Sequence, residues 1–120
     1  MIVLAIDPGP VESAWVLWDA QRVHDCGKGA NAQLLHCLAE QRVVRPGDRV
    51  VIEEIESFWM AVGKTIFRTV FWAGKFAAIA EDRGCVVDAM PRRTVKLHLC
   101  GQSRAKDTNI RTALIDRFGG

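Results

Sequence analysis

The sequence predicts an α/β domain on a mixed five-stranded sheet, with three antiparallel strands followed by parallel crossovers and with helices flanking them. Three observations carry this prediction. Residues 2–6 and 50–52 are uninterrupted apolar runs, the pattern of strands buried on both faces. Two shorter strand candidates follow the first run with only Asp19-Ala20-Gln21 between them, close enough to return as a hairpin. From residue 31 onward, helical and strand patterns alternate, as they do when helical crossovers join parallel strands. The chain of 120 residues is long enough for one core. A composition that is 49% hydrophobic and 25% charged, with four prolines, excludes a disordered, collagen-like or low-complexity chain.

The elements follow in order. Residues 2–6 form the first strand, ended by the turn sequence Asp7-Pro8-Gly9-Pro10 and expected at the centre of the sheet. Residues 13–18 and 22–26 make an antiparallel hairpin beside it. Residues 27–30 read as a loop, after which Asn31 caps a helix that buries Leu34, Leu35 and Leu38 and stops before Pro46-Gly47-Asp48. The run 50–52 carries Glu53 and Glu54, and its arrival after a helix predicts parallel pairing with the first strand.

A longer helix starts at Lys64 or Thr65 and runs to Asp82, closed by Gly84. At 100° per residue, Lys64, Arg68, Lys75 and Asp82 form one stripe, Ile66, Val70 and Ala77 lie opposite, and Trp72, Phe76 and Ile79 occupy a third side. Such a helix is either sandwiched within its own domain or uses a second apolar face for dimerisation. Residues 85–90 are the fifth strand. Pro91 opens a short helix through Leu99, and Asp107 or Thr108 caps a last helix ending at Arg117.

No apolar stretch approaches the ~20 residues that span a bilayer, and no secretory signal pattern opens the chain, so a cytoplasmic protein is expected. The net charge of +2 hides an asymmetry. Residues 1–90 hold nine Lys/Arg against twelve Asp/Glu, whereas residues 91–120 hold seven against two. The basic end suits phosphates, or is a solvated helix face. Cysteines stand at 26, 37, 85 and 100 without the close pairs of a zinc site, so reduced thiols are expected.

This order of elements is the RNase H-like arrangement. It sets the fourth strand beside the first, so that Asp7 and Glu53 converge at the edge crevice of the sheet. A carboxylate ending a buried strand is costly unless paired, protonated or metal-bound. Asp7 alone is equally a turn-former before Pro8-Gly9; with Glu53 on the adjacent strand, a metal site is the better reading. Glu54 belongs to the opposite face and Glu56 to the surface.

The residues themselves resemble a known family. Asp7-Pro8-Gly9 after an apolar strand, Ile52-Glu53 on a later one, Ser57-Phe58-Trp59-Met60-Ala61-Val62-Gly63 before a helix, and Arg93-Thr94-Val95-Lys96 with Leu99-Cys100-Gly101 resemble RuvC-like Holliday junction resolvases. The tail from Arg104-Ala105-Lys106-Asp107 through Arg117-Phe118-Gly119 looks most like a subgroup of bacteriophages and prophages. The resemblance covers nearly the whole chain. It implies that Asp7 and Glu53 are metal-binding acids and that Lys96 is the basic residue near the scissile phosphate. It also implies one further helix bearing the last acidic or histidine ligand, and the sequence stops at Gly120 before reaching it. Asp107 and Asp116 are the acids left to complete the set, although Asp107 also fits a helix cap and Asp116 a surface position.

By this resemblance the reaction is hydrolysis of a DNA phosphodiester by in-line water, assisted by two Mg²⁺ or Mn²⁺ ions about 4 Å apart. Arg92, Arg93, Lys96, Arg104, Lys106 and Arg111 would grip DNA backbones and recognise a branched, four-way shape through phosphate geometry. Two symmetric cuts favour a homodimer. Two other classes stand beside this one: a catalytically incomplete DNA-binding member of the same fold, and an actin-like ATP-binding fragment. The second would need a duplicated domain and another phosphate loop.

Overall fold

The computed structural model describes residues 1–19, 21–54 and 63–91. Among these residues five strands and two helices follow in chain order: β1 (Val3–Asp7), β2 (Glu12–Trp18), β3 (Val23–Ala30), α1 (Asn31–Ala39), β4 (Arg49–Glu54), α2 (Lys64–Asp82) and β5 (Val86–Pro91). They build one sheet of order β3-β2-β1-β4-β5. The β1–β2 and β2–β3 pairs are antiparallel, and the β1–β4 and β4–β5 pairs are parallel. The predicted mixed sheet and the central place of β1 are therefore both observed.

Alternation along the strands decides where the core lies. Leu4 and Ile6 of β1 and Val50 and Ile52 of β4 point to one face, where they meet Leu34 and Leu38 of α1 and Phe76 and Ala80 of α2. The two helices pack on each other and on this face. Phe76 and Leu4 are fully enclosed, each burial favouring the fold by about 1.5–3 kcal/mol. On the other face of β1, Ala5 and Asp7 are exposed. The expectation that β1 is buried on both faces is corrected: an apolar run sets strand character, and small Ala5 fills the run without requiring cover.

Three further boundaries differ from expectation. Residues 27–30 are the end of β3, since Gly27, Lys28, Gly29 and Ala30 pair with Trp15, Ala14, Ser13 and Glu12. Glycines weaken a strand on their own, but an antiparallel partner held by its own core residues carries them. Asn31 is the first residue of α1 rather than its cap; Ala30 stands at the cap, and its side chain makes no capping bond. Pro91 ends β5 instead of opening a helix. The helices expected beyond it lie outside the described residues.

α2 starts and stops as expected. Gly84 adopts a left-handed φ of +84° just past its end, which glycine reaches without strain. Its sides are sorted by the sheet: Phe76 is enclosed, Trp72 and Ile79 are half-buried, while Phe67, Val70 and Phe71 are 65%, 49% and 61% exposed. The side assigned to Trp72, Phe76 and Ile79 is thus core-facing, and the large apolar groups that α2 leaves exposed among the described residues are Phe67, Val70 and Phe71, the last with the Lys75 ammonium 4.9 Å from its ring centre. No helix among the described residues is long and apolar enough to cross a membrane.

Candidate active site

Parallel pairing of the two central strands builds the site. The register sets Ala5 beside Val51 and Ile6 beside Ile52, and continuing it by one residue sets Asp7 beside Glu53. Neighbouring strands lie about 4.8 Å apart, and laterally paired residues share a face. Both acids therefore stand on the face opposite the helices, at the carboxyl ends of β1 and β4, where open α/β sheets bind ligands. Asp7 is exposed and Glu53 half-buried. Glu54, one residue on, is exposed on the other face, as expected.

The same row crosses the whole sheet. Lys28 pairs with Ala14, Ala14 with Asp7, and Glu53 with Met90. One lateral line on the face opposite α1 and α2 thus reads Lys28, Ala14, Asp7, Glu53, Met90. An open cleft of ≈ 430 Å³ lies at its β3–β1 end, walled by the turn of residues 8–11 and by Glu12 of β2 and floored by Asp7, Ala14 and Lys28. Lys28 stands two strands, about 10 Å, from Asp7, with acidic Glu12 also lining the cleft. Small Ala14 between Lys28 and Asp7 leaves the space open.

The turn wall is tightly built. Gly9 has no room for a side chain, because a Cβ there would lie 2.2 Å from the Glu12 carbonyl oxygen. The Gly9 amide donates to Ser13 Oγ at 3.2 Å, the Ser13 hydroxyl donates to Asn31 Oδ1 at 2.5 Å, and Asn31 Nδ2 donates to the Gly9 carbonyl at 2.8 Å. The Asn31 amide donates to the Val11 carbonyl at 2.9 Å. Ser13 and Asn31 are each 1% exposed.

Among the described residues no three of His, Cys, Asp and Glu cluster as a metal site. The donors present are two carboxylates on one face, and they fit a hard, hydrated cation. Mg²⁺ is commonly held by one or two carboxylates while waters and substrate phosphates complete its shell. The thiols are poor alternatives. Cys26, Cys37 and Cys85 are free, and burial, helped by the Asp48 charge, pushes the Cys85 thiol up, which keeps it protonated.

Solved structures share this architecture. Thermus thermophilus RuvC superposes with a TM-score of 0.72 at 18% identity, over 99% of this chain and 81% of that one. T. thermophilus RuvC in complex with Holliday junction substrate gives 0.76 at 20% identity, over 100% and 81%. The fold is RuvC-like. A ROK hexokinase from T. thermophilus reaches 0.50 at 18% identity, over 89% of this chain but only 40% of that one, so the hexokinase shares one portion of its length. No family model and no curated protein matches the sequence.

Within this RuvC-like frame, Asp7 and Glu53 are brought together. Lys96, Asp107, Asp116, Arg92, Arg93, Arg104, Lys106 and Arg111 lie outside the described residues, as does Glu56. Sequence reasoning missed Lys28, whose flanking glycines read as a loop; extending β3 by four residues would have put it in the Asp7 row. It also missed Ser13 and the true partners of Asn31, because a polar residue at a helix start reads first as a cap.

Proposed function

We propose that this protein is a divalent-ion-dependent endonuclease that cuts branched DNA of the four-way kind. The observation that carries the reading is the placement of Asp7 beside Glu53 on the face opposite α1 and α2, on a fold shared with a protein solved with a Holliday junction substrate. Asp7 and Glu53 would hold Mg²⁺ or Mn²⁺, their hard oxygens suiting these ions. The bound ion supplies activation of the attacking water and stabilisation of the leaving oxygen.

The chain's own groups do the rest. Central β1 and β4, anchored by enclosed Leu4 and Val50, keep the two carboxylates in register. Asp107 or Asp116 would complete the ligand set, and Lys96 would stand near the scissile phosphate. Lys28 would attract a neighbouring backbone phosphate into the cleft, while Arg92, Arg93, Arg104, Lys106 and Arg111 would hold the arms of the junction through phosphate contacts. Two symmetric cuts call for two copies, and the exposed Phe67, Val70 and Phe71 offer an apolar surface for that pairing. The sequence pattern supports a single cytoplasmic domain of the phage and prophage type.

Competition binding and cutting on four-way and linear duplexes of equal length test this. The proposal expects preference for the four-way DNA, affinity that falls as salt rises, and cutting only with Mg²⁺ or Mn²⁺. Equal affinity for both DNAs removes the branched substrate. Junction binding without cutting in either ion leaves the catalytically incomplete DNA-binding protein as the reading.

A further inference from the structure

The ring of hydrogen bonds beneath the β1–β2 turn ties that turn to β2 and to the start of α1, and its position gives it a second use. Its three links run in one donor direction, Gly9 N–H to Ser13 Oγ, Ser13 O–H to Asn31 Oδ1, and Asn31 Nδ2–H back to Gly9 C=O. Each Ser13 and Asn31 side-chain group has a partner in it, and both residues are 1% exposed. With the Asn31 amide on the Val11 carbonyl, Asn31 of α1 holds two backbone carbonyls of the turn, those of Gly9 and Val11, and Ser13 of β2 holds the Gly9 amide.

Ser13 and Asp7 lie on opposite faces, since Ala14, next to Ser13, is the residue paired with Asp7. Substrate on the Asp7 face therefore cannot touch the ring. Yet the turn it grips begins two residues after Asp7 and walls the cleft. Pairing with Ala14 holds the Asp7 backbone in the sheet, but Asp7 is the last residue of β1, and an unclamped turn would loosen that end pair and with it the setting of the carboxylate beside Glu53. Groups bonded directly to a metal ligand commonly tune ion affinity on the order of 10–100-fold; the ring acts one step further back, through the backbone that follows Asp7.

We infer that Ser13 and Asn31 are positioning residues, which fix the turn after Asp7 from the buried side of the sheet and so preset the carboxylate for a divalent cation. This rests on the ion-dependent reading above. It makes a buried serine and asparagine determinants of ion affinity, although neither faces the ion or the DNA.

The test uses the full chain and three readouts: exchange of the Gly9 amide by NMR without ions, Mn²⁺ binding by electron paramagnetic resonance, and junction binding in chelator. Ser13→Ala should speed Gly9 exchange and weaken Mn²⁺ binding by about tenfold, roughly the worth of one hydrogen bond, with junction binding unchanged. Ser13→Thr, which keeps the hydroxyl, should stay within about twofold of the parent. Asn31→Ala leaves Ser13 on the Gly9 amide and should move both ion and exchange readouts in the same direction by a smaller factor.

Faster Gly9 exchange with unchanged Mn²⁺ affinity in Ser13→Ala or Asn31→Ala overturns the inference. So does a loss of Mn²⁺ binding that Ser13→Thr fails to rescue. Asp7→Asn is the separate control: if it binds Mn²⁺ like the parent, the ion site itself is misassigned, whatever the ring variants do.

Discussion

Gly9→Ala is the substitution whose cost can be worked most directly from the geometry. The new Cβ would stand 2.2 Å from the Glu12 carbonyl oxygen, a backbone atom that cannot rotate away. Carbon and oxygen tolerate about 3.3 Å, so the turn must open by roughly 1 Å. The Gly9 amide already sits 3.2 Å from Ser13 Oγ, and that opening takes it out of bonding range; the 2.8 Å bond from Asn31 to the Gly9 carbonyl is strained with it. Losing bonds to buried side chains costs about 1–3 kcal/mol each. Water reaching the turn from the open cleft offsets part of this, which leaves about 2–4 kcal/mol in all. For a domain of this size that lowers the melting temperature by roughly 8–15 °C. Urea and thermal denaturation of the variant and its parent measure it. A loss below about 0.5 kcal/mol, within the range of neutral surface changes, would refute the closed-turn geometry.

Other expectations follow from the same structure. Phe76→Ala, emptying a fully enclosed site, should cost about 3–5 kcal/mol in urea denaturation. Phe67→Glu with Phe71→Glu should remain folded and sediment as a monomer, whereas Phe76→Glu should unfold; a parent chain that is monomeric at tens of micromolar, roughly a weak-dimer range, would remove the pairing surface. Asp19 is held well below the usual carboxylate range by the Arg22 and Gln21 amides and by His24. A depressed folded value means its contribution is present above the ordinary value of 3.8 and is lost as pH falls from there through the lower folded value. Asp19→Asn should therefore flatten the acid-side fall in stability; an unchanged slope between neutral pH and the acid limit would contradict it. Lys28→Ala should weaken junction binding and reduce the salt slope by about 0.9, one phosphate contact; an unchanged slope would place Lys28 off the DNA path.

Much of the fold was legible because it depends on local patterns. Residues 50–52 announced a buried strand after a helix, and β4 pairs parallel with β1 as that order requires. Gly84 marked the end of α2 by its backbone freedom. What escaped depended on partners remote in sequence. Gly27 to Ala30 have loop composition, and only β2 makes them a strand. Asn31 was placed at the right helix end with the wrong partners, because its bonds go to Gly9 and Ser13, 22 and 18 residues away. Periodicity separated the sides of α2 but could not say which one the sheet covers; Phe76 went to the core and Phe67 and Phe71 to solvent. The Asp7–Glu53 pairing was readable from strand order alone, whereas Lys28 joined their row only with the register of β3.

Single-turnover cutting of a four-way junction by the parent chain, Asp7→Asn, Glu53→Gln and the double variant, in Mg²⁺ and with affinity measured in parallel, bears most directly on the central claim that the two acids form one ion site. Each single change should reduce the rate by about a hundredfold or more, the double variant should be hardly slower than either single one, as for groups that act as a unit, and junction affinity should hold or rise as negative charge is removed. Cutting at the parent rate by either single variant, or a double variant whose loss is the product of two independent losses, would contradict it.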